Sequence, residues 1–199
     1  MSRYRKLFQS LSAIGKPLNA ALSERDSYTE AHCTRVVFFA EALGRECGLD
    51  EDEIGLLKLC AAFHDVGKIG IPDRVLFKAA SFDDAEWEIM KTHPLIGERI
   101  IRAIAEEGAD EIANVVRHHH EHFDGSGYPD GLAGEDIPLY SRLLSIVDSY
   151  DAMVTARPYH LAREHSDVMG ILRKEEGGKH DPELLDMFSR VSFKTDYLN

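Results

Sequence analysis

Ala61-Ala62-Phe63-His64-Asp65-Val66-Gly67-Lys68-Ile69-Gly70-Ile71-Pro72-Asp73 is the stretch on which the reading of this chain turns. An apolar run of helical character ends in an imidazole beside a carboxylate, a donor pair suited to a divalent first-row metal. Gly67 and Gly70 let the backbone leave the helix sharply. Lys68 suits a phosphate oxygen, or caps the end of its helix. The pair gains force from further imidazoles and a carboxylate along the chain: His32, His93, His119, His120 and Asp148.

Outward from this stretch the pattern predicts an all-α fold. The helix that presents His64 and Asp65 runs from about Asp50 through Ile54, Leu57, Cys60 and Phe63. Before it, Tyr28 to Glu46 has a broad apolar face, with Gly48 as its stop. After it, Ser81-Phe82-Asp83-Asp84 reads as a capping box. Pro94 suits the first turn of a helix reaching Glu106, with His93 at the junction. Asp110 to Glu121 carries the histidine run, of which His119 and His120 can converge at the helix rim. Phe123 to Pro138 is a loop with four glycines and two prolines, Gly125, Gly127, Gly131, Gly134, Pro129 and Pro138. An ordered loop of that length is usually functional. Helices follow over Leu139–Thr155, Tyr159–Glu175 and Pro182–Ser189, the last with Asp181 as N-cap. Residues 1–24 are expected to add a helical segment packing on a single domain over residues 25–199.

The chain has 199 residues, 44% of them hydrophobic, and a net charge of −12. That charge argues against DNA as a partner, since phosphate backbones attract basic surfaces. No window approaches the roughly 20 apolar residues of a membrane span. Cys33, Cys47 and Cys60 form no CxxC motif and read as reduced thiols, which predicts a cytoplasmic protein.

The sequence resembles the HD-GYP family, a subgroup of the HD superfamily of metal-dependent phosphohydrolases. The resemblance is carried by residues 64–73, by Met90-Lys91-Thr92-His93-Pro94, and by residues 119–129 with their Gly127-Tyr128-Pro129. Ile137-Pro138-Leu139, Asp148-Ser149-Tyr150-Asp151-Ala152-Met153 and Arg157-Pro158-Tyr159 complete it. It implies a helical bundle with a long glycine-rich loop, and hydrolysis of cyclic di-GMP to pGpG, with either pGpG or GMP as the final product. It also implies a ligand set: His32, His64, Asp65 and Asp148 on one metal, with Asp65 bridging to a second held by His93, His119 and His120. Where some relatives have a third-metal glutamate this chain has Tyr28, which favours two ions.

Five imidazoles and two carboxylates leave about two open positions on two octahedral ions once a bridging hydroxide is counted. The histidine-rich shell favours iron or manganese over magnesium, which prefers oxygen donors, and the resemblance makes iron the first choice. The metal-bridging hydroxide is expected to attack phosphorus in line. Lys68 and Arg157 would grip phosphate oxygens, His160 stands where relatives often have a basic phosphate contact, and Tyr128 would touch the ligand. Asp124 or a metal-bound water is expected to protonate the leaving oxygen. Two alternatives stand beside this reading: a phosphohydrolase acting on cyclic GMP-AMP or another nucleotide, and a low-turnover sensor that docks on a diguanylate cyclase or other signalling protein.

Overall fold

The structure, a computed structural model, describes Ala20, Leu22, Glu24 and residues 27–155 and 162–191. The expected N-terminal segment therefore lies largely outside the described residues, as do Arg157 and His160 and the side chain of Tyr28. Among the described residues the chain is helical, without a strand. The α-helices are α1 (Ser27–Glu46), α2 (Glu51–Phe63), α3 (Asp73–Leu76), α4 (Asp84–Met90), α5 (His93–Arg102), α6 (Ala109–His118), α7 (Leu139–Val154), α8 (His165–Lys174) and α9 (Pro182–Arg190). Short 3-10 turns span Val66–Gly70 and Gly134–Asp136.

Helix α1 packs on α2 and α7, and α5 on α6. Val36, Phe39 and Leu43 of α1 meet Leu57, Cys60 and Phe63 of α2, and Val147 and Tyr150 of α7, all buried. Tyr150 fixes the centre: Phe39 and Phe188 each meet its ring edge-on at 5.1 Å. Its hydroxyl reaches His165 Nδ1 at 2.8 Å.

Local chemistry sets the helix ends. Asp50 caps α2 by accepting from the Asp52 and Glu53 amides, while the Glu53 carboxylate returns to the Asp50 amide. The box of α4 uses Asp83 and Glu86, two residues later than the sequence pattern suggested, because Asp83 is the residue with extended backbone before the helix. Helix α5 ends at Arg102 rather than Glu106, and α6 starts from Gly108 at φ 93°. That φ is open to glycine and costly for other residues. Asp181 caps α9 as expected, and its other oxygen accepts from Arg142 of α7 at 2.6 Å.

Candidate metal centre

Each potential ligand but two comes from a helix end. His64 caps α2, Asp65 opens the 3-10 turn, His93 begins α5, and His119 ends α6 with His120 in the turn beyond. His32 and Asp148 project from within α1 and α7. Helix α6 stops at His118, short of the predicted Glu121, and this matters. Consecutive side chains in a helix diverge by about 100°. In the turn, the rings of His119 and His120 come within 4.1 Å of each other.

Two trios offer converging ligand atoms: His93, His119 and His120, and His32, His64 and Asp148. Asp65 stands between them. Its Oδ2 is 3.6 Å from His32 Nε2 and 3.4 Å from His64 Nε2, whereas Oδ1 is 3.6 Å from His93 Nε2. One oxygen of a single buried carboxylate thus faces each trio.

The proton positions test whether these groups suit a metal. His93 Nδ1 lies 2.9 Å from the Met90 carbonyl and His119 Nδ1 2.6 Å from the Val116 carbonyl. A carbonyl only accepts, so Nδ1–H donates and each Nε2 keeps a lone pair. Burial is the main force keeping both rings neutral, with pKa values pushed down to about 4 for His93 and about 3 for His119. Burial, then His119 and His93, holds His120 well below its usual range. Yet the Nε2 atoms of His93 and His119 face each other at 3.3 Å. Two lone pairs repel at that separation, and a cation bonded to both at about 2.1 Å removes the conflict.

The other trio carries more charge. His64 Nδ1–H donates to the Ala61 carbonyl at 2.7 Å, leaving its Nε2 3.3 Å from His32 Nε2, which is itself 3.3 Å from Asp148 Oδ1. His32 Nδ1 binds Asp151 Oδ2 at 2.7 Å, and Arg35 holds the same carboxylate at 2.6 and 3.1 Å. Burial would lower the His32 pKa, but Asp148 and Asp151 outweigh it and push it up to about 9. A proton on His32 and a cation among His32, His64 and Asp148 are alternatives, so loading this trio releases a proton. Asp151 had no assigned role, although its i+3 spacing from Asp148 on α7 puts both on one helix face.

Gly67 allows the two trios to meet. A methyl there would lie 1.9 Å from the His93 carbonyl oxygen and 2.5 Å from the Gly97 amide nitrogen. The turn bearing Asp65 and Lys68 can press against the start of α5 only because that space is empty. Lys68 reaches into the centre rather than back onto helix α2: its ammonium pairs with Asp65 Oδ2 at 2.6 Å. Burial opposes the charge on both partners, but the pairing raises the Lys68 pKa and helps hold Asp65 well below the usual carboxylate range.

The glycine-rich loop borders the centre. Gly127 lies against the backbone of Glu121 and His122, where a methyl would meet the His122 nitrogen at 2.2 Å. Tyr128 consequently stacks on His120, ring centroids 5.0 Å apart. The buried Glu121 carboxylate pins the loop by accepting from the Asp130 amide at 2.7 Å and the Gly131 amide at 3.1 Å. Arg117 grips Asp130 with two bonds of 2.7 Å, and His118 adds a third at 2.8 Å. His118, Glu121 and Asp130 could geometrically hold an ion, but these partners already use their carboxylate oxygens.

Asp124 does not join the ligand cluster. It is exposed, and its carboxylate accepts from the Ser126 amide at 2.9 Å. The Ser126 side chain first, and then this amide, lower its pKa and favour the ionised carboxylate. Cys33, next to His32 in sequence, has its thiol pushed up to about 12 by burial and then by Asp65, which disfavours the thiolate a metal needs. All three cysteines are free.

These shifts set the pH response of the metal-free protein. His93, His119, His120, His122 and His180 are lowered, mainly by burial. Below the unfolded value near 6.5 the unfolded chain takes up protons that the folded chain refuses, so stability falls with acid. His32 is raised; its contribution is complete below about 6.5 and is lost as pH rises through about 9. Denaturant midpoints measured in chelator should therefore peak near pH 6.5, with the acid limb the steeper because about five imidazoles oppose one. Midpoints unchanged between pH 4.5 and 6.5 would show that these imidazoles are not held neutral.

A family model described as "HD domain" matches residues 16–184. Over 173 residues the chain is 37% identical to the cyclic di-GMP phosphodiesterase response regulator RpfG of Xanthomonas campestris, covering 87% of this chain and 46% of that protein. It is 34% identical over 167 residues to the 3'3'-cGAMP-specific phosphodiesterase 2 of Vibrio cholerae, covering 84% of this chain and 32% of that one. The chain thus spans about half the length, or less, of these curated relatives. Among solved structures, Bd1817, an HDG"Y"P protein from Bdellovibrio bacteriovorus, superposes with a TM-score of 0.66 at 19% identity, over 94% of this chain and 66% of that one. Among the described residues no helix is long and apolar enough to cross a membrane.

Proposed function

The chain belongs to the HD domain family, in its HD-GYP branch, and from that premise we propose that it is a cyclic-dinucleotide phosphodiesterase that opens cyclic di-GMP to pGpG. The observation that carries this reading is Asp65, with one carboxylate oxygen facing each of two histidine-rich trios. Phosphodiester hydrolysis gains most from two cations held close together, and a bridging carboxylate sets their spacing. His32, His64 and Asp148 would hold one divalent ion and His93, His119 and His120 the other, with Asp65 shared. Their imidazole-rich donor set supports iron or manganese over magnesium, which prefers oxygen. When bound, such ions activate water and neutralise charge on phosphoryl oxygens.

The chain's own side chains do the rest. His93 and His119 keep their Nε2 lone pairs available at neutral pH, and His120 stays neutral beside them. Asp151 orients His32, and carbonyls orient His64, His93 and His119, so the ligands need little rearrangement. Lys68, partly exposed beside Asp65, can turn its ammonium to a phosphate oxygen once cations take over the Asp65 charge. Two divalent charges against Asp65 and Asp148 leave the centre positive, so an acidic protein can accept an anionic ligand.

Protein loaded anaerobically with ferrous iron, and separately with manganese, should convert cyclic di-GMP to pGpG at a rate that chelator abolishes. Cyclic GMP-AMP in the same assay ranks the competing substrate. Binding of either dinucleotide without product from any metal form would replace the enzyme with a sensor.

A further inference from the structure

A row of rings leads from the metal centre to the surface. Tyr128 stacks on His120 at 5.0 Å, Trp87 meets Tyr128 edge-on at 6.0 Å, and Phe82 lies 6.3 Å from Trp87 with the two rings inclined by only 21°. Trp87 is 43% exposed, and α4, which carries it, contributes no buried residue to the core. The helix touches Asp73–Leu76 but buries nothing fully, so the half-exposed indole adds little to the core. Helix α4 is also joined to the centre, because its last residue, Met90, supplies the carbonyl that orients His93.

We propose that Trp87, with Phe82 beside it, is the seat of one purine base of the cyclic dinucleotide whose phosphate lies on the metal pair. The inference rests on the phosphodiesterase reading and adds a specificity-determining contact to it. Charge favours the neutral base over any other part of the ligand at this place. Helix α4 carries Asp84, Glu86 and Glu88, of which Glu86 pairs with Lys78 and Glu88 with Lys91, so the helix offers phosphate no free lysine of its own, whereas a purine presents a flat neutral face. A ring stack recognises that face, and Tyr128 makes the path from seat to metal ligands continuous.

Trp87 is the single tryptophan of the chain, so its emission reports directly on the seat. Titrating the metal-loaded protein with the hydrolysis-resistant phosphorothioate analogue of cyclic di-GMP should quench that emission saturably. Trp87→Ala should raise KM for cyclic di-GMP roughly tenfold or more, the usual scale for loss of one base–aromatic stack, while metal content holds and Trp87→Phe restores most of the loss. Normal turnover with unmoved emission, or an unchanged KM in Trp87→Ala, overturns the seat and leaves the phosphodiesterase reading intact. Quenching without turnover supports the seat and overturns the enzyme instead.

Discussion

Asp65→Ala is expected to reduce turnover of cyclic di-GMP by roughly a thousandfold or more, the scale of losing several kcal/mol of metal-derived stabilisation. The carboxylate has three jobs. One oxygen faces His32 and His64, the other faces His93, and the pair offsets the Lys68 ammonium 2.6 Å away. Removing it leaves Asp148 alone to offset that ammonium against an incoming cation. Metal analysis of protein purified without oxygen should show the content falling from two ions per chain to one or fewer. Asp65→Asn keeps the shape and loses the charge, and should behave nearly as badly. A variant with its full complement of ions and its full rate would place the reaction elsewhere.

Gly67→Ala should be the most damaging single methyl in the molecule. The added carbon would stand 1.9 Å from the His93 carbonyl oxygen, a backbone atom that no rotamer change can move aside. Either the turn carrying Asp65 or the start of α5 must retreat. Overpacking of this kind costs about 3 kcal/mol or more, and urea denaturation of the metal-free variant should show it. The movement also separates Asp65 from His93, so metal content should fall even where the chain remains folded. A variant that keeps both stability and ions would mean that the two backbones need not touch.

Much of this was legible in the order of residues, because ligand chemistry survives without coordinates. The six residues of the two trios and Asp65 between them are the seven expected from the resemblance, and the structure brings them together. The helices were legible too, since apolar periodicity and the caps at Asp181 and Gly48 are local properties. What escaped depends on tertiary contact. Helix α6 stops at His118, and that early stop is what turns His119 and His120 the same way. Asp151 acts through His32, 119 positions away. Glu121 looked like one more helical acid until the loop folded its amides onto it. Asp124 drew attention by chemical type; that the Ser126 side chain, and then its amide, stabilise its ionised form is a loop contact that residue type alone does not show.

The centre is gripped from α1, α2, α5, α6 and α7 at once, with His32 and Asp148 at far-separated points of the chain. Ions held there would be cross-links as well as reagents, each closing long loops that the unfolded chain must otherwise leave open. A cell starved of the metal would then lose more than a reaction rate. Its empty protein would open more often and reach proteases sooner, so the supply of one nutrient would set how long the molecule survives.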